Sequence, residues 1–337
     1  MTLLMEPVAT VEREQEREQA PVLDVRHLTT EFKTHAGPLR AVNELSFSLQ
    51  PGRVLAIIGE SGSGKSALLR TILGIQPATA RIQGEVLLNG VDLLKLTARQ
   101  REDLRGSVVS MVFQDPMTAL DPIYTVEQQL VETIRRHTPC SRQQANSRAL
   151  ELLELVQIPS PERRLKAYPF ELSGGMRQRL VIATALASTP SVLLADEPTT
   201  ALDVTVQGRV LRLLADLQRQ LGMSVIFVTH DLSVAAQIAD DVAVMYAGRI
   251  VETGSIRDVV RTPAHPYTRG LLAANVQPGQ TERPAVIPGS PPNMARLPPG
   301  CSFAPRCASA QDRCWEALPS LMSVAEAHSA RCVLVER

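Results

Sequence analysis

Gly59-Glu60-Ser61-Gly62-Ser63-Gly64-Lys65-Ser66 is the stretch whose residue types and spacing carry the sharpest chemistry. It fits G-x-x-x-x-G-K-[ST], with Gly59, Gly64, Lys65 and Ser66 in the fixed places. Glycines let the backbone bend so that successive N–H groups point inward and cradle a polyphosphate. A helix beginning behind the loop adds its positive end to the attraction. Lys65 is placed to reach the β- and γ-phosphates, and the Ser66 hydroxyl to ligate Mg²⁺. A Gly/Ser turn that matches by chance is the plain alternative. The flanks argue against it: Val54 to Ile58 is an apolar run of strand type, and Ala67 to Leu73 is an amphipathic helix start.

Other residues could serve the same chemistry. Asp196-Glu197 follows the apolar strand Val192–Ala195, so Asp196 can complete a Mg²⁺ shell while Glu197 faces the γ-phosphate and polarises a water. Gln114 ends the strand Val108–Phe113, and its amide can ligate Mg²⁺ and touch a partner. His230 follows the strand Val225–Thr229, where its ring can bond the γ-phosphate. Leu172-Ser173-Gly174-Gly175-Met176 opens a helix and offers a second anion site of N–H groups and a hydroxyl. One subunit has no use for two γ-phosphate readers. Two chains packed head to tail do, each nucleotide lying between one chain's phosphate loop and the other's Ser-Gly-Gly helix.

The elements that must position these residues alternate. Strands are expected at 22–28, 41–49, 54–58, 84–88, 108–113, 191–195, 225–228 and 242–246; helices at 67–73, 97–105, 177–187, 204–221 and 232–238. Residues 126–156 read as helical with no strand before Val192, a helical insertion between two halves of a sheet. Strand–helix alternation indicates a parallel sheet covered on both faces, which binds ligands at the carboxyl ends of its strands. Residues 1–20 are polar and charged and read as a solvated tail. Beyond residue 262, prolines from Pro263 to Pro299 exclude long helices.

Composition narrows the class. Lys+Arg and Asp+Glu are both 35, so the net charge is zero, which argues against a non-specific nucleic-acid binder. No apolar run approaches the ~20 residues that span a bilayer, and Leu3-Leu4-Met5 is too short for a signal-peptide core. The expected location is the cytosol or the cytosolic side of a membrane.

Taken together, Gly59–Ser66, Gln114, Leu172–Met176, Val192–Glu197, Ala201-Leu202-Asp203 and His230 resemble, in order, the Walker A, Q-loop, signature, Walker B, D-loop and H-loop of ABC transporter ATP-binding subunits. The resemblance covers roughly residues 22–260. It implies an α/β P-loop NTPase core with a RecA-like subdomain, an antiparallel β subdomain and an inserted helical subdomain near 115–190. It also implies Phe32 stacking on adenine, Asp196 and Gln114 on Mg²⁺, and Glu197 as catalytic base. Met176 stands where most members have Gln, and Thr200 where Ser is usual; neither removes the Ser and glycines that meet phosphate. Val112 to Pro122, Glu171 to Arg179 and His265 to Leu272 resemble the dipeptide/oligopeptide importer branch. That implies an ATPase on the cytosolic face of the inner membrane, with an identical or, preferentially, paralogous ATPase subunit. Two membrane permeases and an extracytoplasmic binding protein complete the implied assembly. Nickel or another solute is the alternative cargo, and a soluble ATPase of this type acting on nucleic acid or ribosomes the alternative class.

Cys301, Cys307, Cys314 and Cys332 cluster in the extension over residues 263–337. Disulfides are disfavoured in the cytosol, and tight C-x₂₋₄-C zinc pairs are absent. Spacing alone leaves cluster, zinc and unliganded thiols open. The family resemblance implies a [4Fe–4S] site on these four.

Overall fold

The structure, a computed structural model, describes residues 20–35, 37–200, 202–274 and 286–335. The expected tail lies outside these residues except for Ala20. Two sheets make the frame. β1 (Leu23–Thr34), β2 (Gly37–Leu49), β4 (Arg81–Leu88) and β5 (Val91–Asp92) form an antiparallel sheet ordered β2-β1-β4-β5. β3 (Val54–Ile58), β6 (Val109–Val112), β7 (Val192–Asp196), β8 (Ser224–Thr229) and β9 (Asp241–Tyr246) run parallel in the order β9-β3-β8-β7-β6.

Alternation of side chains explains how the parallel sheet is covered on both faces. Leu55, Ile57, Val192, Leu194, Ile226 and Val228 join one core with the antiparallel sheet and Leu68, Leu69 and Ile72 of the helix Lys65–Leu73. Leu193, Ala195, Val225 and Phe227 face the other way, toward the helices Gly174–Ala185 and Val204–Leu221. The insertion between β6 and β7 is helical as expected. Its helices Val126–His137 and Arg142–Leu155 each start at a reciprocal capping box, Thr125 with Gln128 and Ser141 with Gln144.

Several bounds differ from expectation. β1 continues through Phe32 to Thr34, because its partner β2 begins at Gly37 and pairs Phe32 with Leu39. The helix after His230 stops at Ala235 instead of Ile238. Beyond it, Asp240 is tied to Val54, its N–H donating to the Val54 carbonyl at 2.9 Å and its carboxylate accepting from the Val54 N–H at 2.8 Å. A strand that the sequence pattern does not announce, β10 (Arg249–Ser255), turns back on β9 through Ala247 and Gly248, both at positive φ.

β10 is also where the extension attaches. β11 (Met322–Ala325) and β12 (His328–Ala330) add antiparallel to it, extending the sheet to eight strands. Glu252 on β10 is fully buried and accepts hydrogen bonds from Ala264 N–H (2.7 Å), His265 N–H (2.9 Å) and His328 Nε2 (2.8 Å). A buried carboxylate without such donors would be strongly destabilising, so this one fixes residues 264–265 and 328 in place. Tyr246, Tyr267 and Phe303 meet below the sheet, with ring centroids 4.6–5.3 Å apart.

The cysteine expectation is corrected here. Among the described residues, no group of three or more His, Cys, Asp or Glu side chains is arranged to hold a metal ion. That removes the [4Fe–4S] assignment on Cys301, Cys307, Cys314 and Cys332, and zinc with it. All four are free thiols. Burial is the main cause that pushes Cys301, Cys307 and Cys332 up, favouring the neutral thiol over the thiolate a metal needs. They serve as small apolar side chains: Cys301 and Cys307 lie against the aromatic cluster, and Cys314 packs with Ala304 and Val333.

His265 gives the extension a pH response. It is buried, and its Nδ1 accepts the Tyr267 N–H at 3.0 Å at the start of the helix Pro266–Ala273, so a second proton there would face a donor. Burial, with Arg269 adding, lowers its pKa from 6.5 to about 4. The unfolded chain therefore binds the proton more tightly. The stabilisation is complete above pH 6.5 and is lost as pH falls toward 4, by about 3 kcal/mol. Chemical denaturation across this range should show that loss in the wild type. His265→Asn, which keeps a cap acceptor, should flatten it.

Candidate functional site

β3 runs into the loop 59–64, and the helix Lys65–Leu73 leaves it. The glycines are required by close approach. A Cβ on Gly64, at φ +105°, would lie 2.0 Å from the Ala41 carbonyl oxygen, and one on Gly59 would lie 2.2 Å from that of Met245. Strands from both sheets thus wall the loop. The Ser63 carbonyl also accepts the Gly248 N–H at 2.9 Å.

A cleft of about 660 Å³ opens over the loop. Lys65 is 5 % exposed there, and its ammonium donates to the Gly59 and Glu60 carbonyls at 2.7 and 2.9 Å. Burial lowers its pKa, while Glu197 and Asp196 oppose the shift. Ser66 Oγ donates to Asp196 Oδ1 at 3.0 Å. Burial holds the Asp196 carboxyl above the usual range, against that hydrogen bond. A hydroxyl and a carboxylate converging at the phosphate loop suit a hard, oxygen-seeking dication.

Glu197 turns out of β7 at φ +44°, a left-handed conformation that costs a non-glycine residue on the order of 1 kcal/mol or more. The turn aims its carboxylate at the loop, Oε1 lying 3.8 Å from Lys65 Nζ. Three neighbours surround Oε2: Thr200 Oγ1 donates at 2.7 Å, Gln114 Nε2 donates at 3.4 Å, and His230 Nδ1 lies at 3.3 Å. Strand ends of β6, β7 and β8 therefore bring Gln114, Asp196, Glu197 and His230 together with the loop.

Other expected residues stand apart. Phe32 lies in β1 and is not among the cleft's lining, nor is any of Leu172–Met176. Ser173 caps the helix Gly174–Ala185, accepting the Met176 N–H at 3.4 Å. Leu202 sits 3.9 Å from where a Gly174 Cβ would stand, and Val206 2.7 Å from a Gly175 Cβ. Asp203 caps the helix Val204–Leu221 through the Val206 N–H. Ala201 lies outside the described residues. The signature segment lies against Leu202 and Val206 and is not among the lining of this chain's own cleft. A larger groove of about 740 Å³, beside Arg212, Asp216 and Arg219, has none of the phosphate-loop residues in its walls.

Sequence reading placed Thr200 at the opening of the D-loop but missed its bond to Glu197, and did not connect Tyr267 and Arg306 with the site. The Thr200 contact could have been found from its spacing to Glu197 across a tight turn. The other two come from the extension, and nothing in local pattern announces them.

Comparison with known proteins places these features. The ABC transporter family description matches residues 42–200, and "Oligopeptide/dipeptide transporter, C-terminal region" matches 251–314. The oligopeptide transport ATP-binding protein OppD of Bacillus subtilis is 46 % identical over 311 residues, covering 91 % of this chain and 87 % of that protein. OppD of Mycobacterium tuberculosis is 47 % identical over 320 residues, covering 94 % of this chain and 52 % of its own; the chain spans about half the length of that relative. Among solved structures, the dimeric ATP-binding cassette MJ0796, in a post-hydrolysis state bound to ADP and Pi, superposes with a TM-score of 0.63. It is 28 % identical and covers 70 % of this chain and 99 % of its own.

Gly64→Ala tests the shape of the loop. The added Cβ meets fixed backbone, so the variant should bind fluorescent adenine nucleotide at least about tenfold more weakly. Wild-type affinity would show that the loop tolerates displacement.

Proposed function

We propose that this chain, which belongs to the ABC transporter family of ATP-binding subunits and to its oligopeptide/dipeptide branch, binds and hydrolyses ATP to drive the import of short peptides. The observation that carries the reading is the Glu197 carboxylate, aimed from a left-handed turn at the phosphate loop and surrounded by Thr200, Gln114 and His230.

ATP enters over Gly59–Ser66. Lys65 exchanges the loop carbonyls for the β- and γ-phosphates, and Phe32 on its hairpin stacks on adenine. The Ser66 hydroxyl, the Asp196 carboxylate and the Gln114 amide oxygen would hold the Mg²⁺ that accompanies the nucleotide, and it would neutralise charge on the phosphate oxygens. Glu197 accepts a proton from the attacking water, with Thr200 fixing the carboxylate. His230 contacts the γ-phosphate and registers its loss.

The second half of each pocket comes from a partner ATPase subunit, preferentially a paralogue, through its own counterpart of Leu172–Met176. Binding then favours the closed pair only because γ-phosphate is touched from both sides. Gln114, at the root of the helical insertion, passes the motion to two membrane permeases, and an extracytoplasmic binding protein delivers cargo. Among the described residues no helix is long and apolar enough to cross a membrane; docking on the permeases at the cytosolic face supplies the attachment. Peptide as cargo rests on the names of the relatives.

Glu197→Gln should leave ATP affinity within about twofold of wild type and cut turnover by 10² or more, roughly what loss of a general base costs. Both are read on the full chain assembled with its transporter, by nucleotide binding and phosphate release. Unchanged turnover would remove Glu197 from the role of base.

A further inference from the structure

The phosphate loop carries a carboxylate, Glu60, within an anion site. It lies at one of the unspecified positions of the motif, and Glu60 is among the residues that line the cleft. A carboxylate there repels a polyphosphate unless something answers its charge. The answer comes from 246 residues along the chain. Arg306, 8 % exposed, sends Nη1 to Glu60 Oε2 at 2.6 Å and Nη2 to Oε1 at 3.0 Å, a two-pronged charge-assisted pair. The guanidinium is itself fixed: Nε donates to the Pro288 carbonyl at 2.8 Å, and its carbon lies 6.0 Å from the centroids of the Tyr246 and Phe303 rings. A second contact reaches the same loop residue, the Glu60 N–H donating to Tyr267 Oη at 2.8 Å.

We infer that Arg306 of the C-terminal extension is a positioning residue for nucleotide binding: it neutralises and orients Glu60, so that the docked extension strengthens the phosphate loop's hold on ATP. This rests on the ATPase reading above and deepens it. Arg306 is not among the residues that line the cleft and acts on the nucleotide only through Glu60. Its contribution is uniform binding, which shows in KM and leaves kcat alone.

The test is steady-state ATP turnover by the full chain in its assembled transporter, with circular dichroism and thermal melting to confirm folding. Arg306→Ala exposes Glu60 to the phosphates and should raise KM for ATP about three- to tenfold, with kcat within about twofold of wild type. Adding Glu60→Gln to that variant removes the exposed charge and should return KM most of the way to wild type. Where Arg306→Ala does not fold, Arg306→Lys keeps the charge and loses the fork; its smaller rise in KM should likewise be relieved by Glu60→Gln. An unchanged KM in the folded Arg306 variants overturns the inference, as does a fall in kcat alone, or a double variant no better than the single one. Absence of ATP turnover in the wild-type assembly would instead remove the ATPase reading.

Discussion

A loop that grips a polyphosphate with backbone N–H groups has to hold its shape before the anion arrives, because any ordering left to the moment of binding is subtracted from affinity. That constraint organises this molecule. β3 delivers the chain into the loop, the Ala41 and Met245 carbonyls stand where Cβ atoms on Gly64 and Gly59 would need to be, and Gly248 holds the Ser63 carbonyl. Lys65 ties together the carbonyls at the loop's start. The extension adds a floor through Tyr267 and Arg306. The two sheets and the C-terminal segment meet at one loop, and their separate cores are what keep that meeting rigid.

The same frame keeps two sets of motif residues apart. Carboxyl ends of β6, β7 and β8 gather Gln114, Asp196, Glu197 and His230 over the loop, whereas Ser173 and its glycines belong to the helical side and face elsewhere. Leu202 and Val206 lie against Gly174 and Gly175. Gln114 bonds Glu197 at one end of the insertion. That hydrogen bond links the carboxylate to the strand end from which the helical insertion leaves.

Sequence periodicity exposed most of this frame because each core face is continuous with a strong local pattern. Helix Val204–Leu221 begins at an Asp cap and ends at Gly222 in the left-handed region, and its bounds were readable from those two residues. The helical insertion was readable from the apolar spacing of Val126, Leu130 and Ile134 and then Leu150, Leu153 and Val156. β10 was not, since a short run ending in Glu252-Thr253-Gly254-Ser255 gains its strand character from pairing with β9 and β12. The convergence of Gln114, Asp196, Glu197 and His230 was legible because motif spacing encodes strand ends. The cysteines misled for the opposite reason: clustering in sequence says nothing about convergence in space, and here the thiols turn into apolar packing. Arg306 was invisible because its partner lies across the whole cassette.

The central claim is that one chain supplies only half of each nucleotide pocket, and Ser173→Arg tests it most directly. ATP binding and phosphate release would be measured on the isolated chain and on the assembled transporter. The account predicts wild-type ATP affinity for the isolated variant and loss of most turnover, about tenfold or more, in the assembly at the pocket that Ser173 completes. An isolated monomer that hydrolyses ATP as fast as the assembly, indifferent to arginine at position 173, would contradict it.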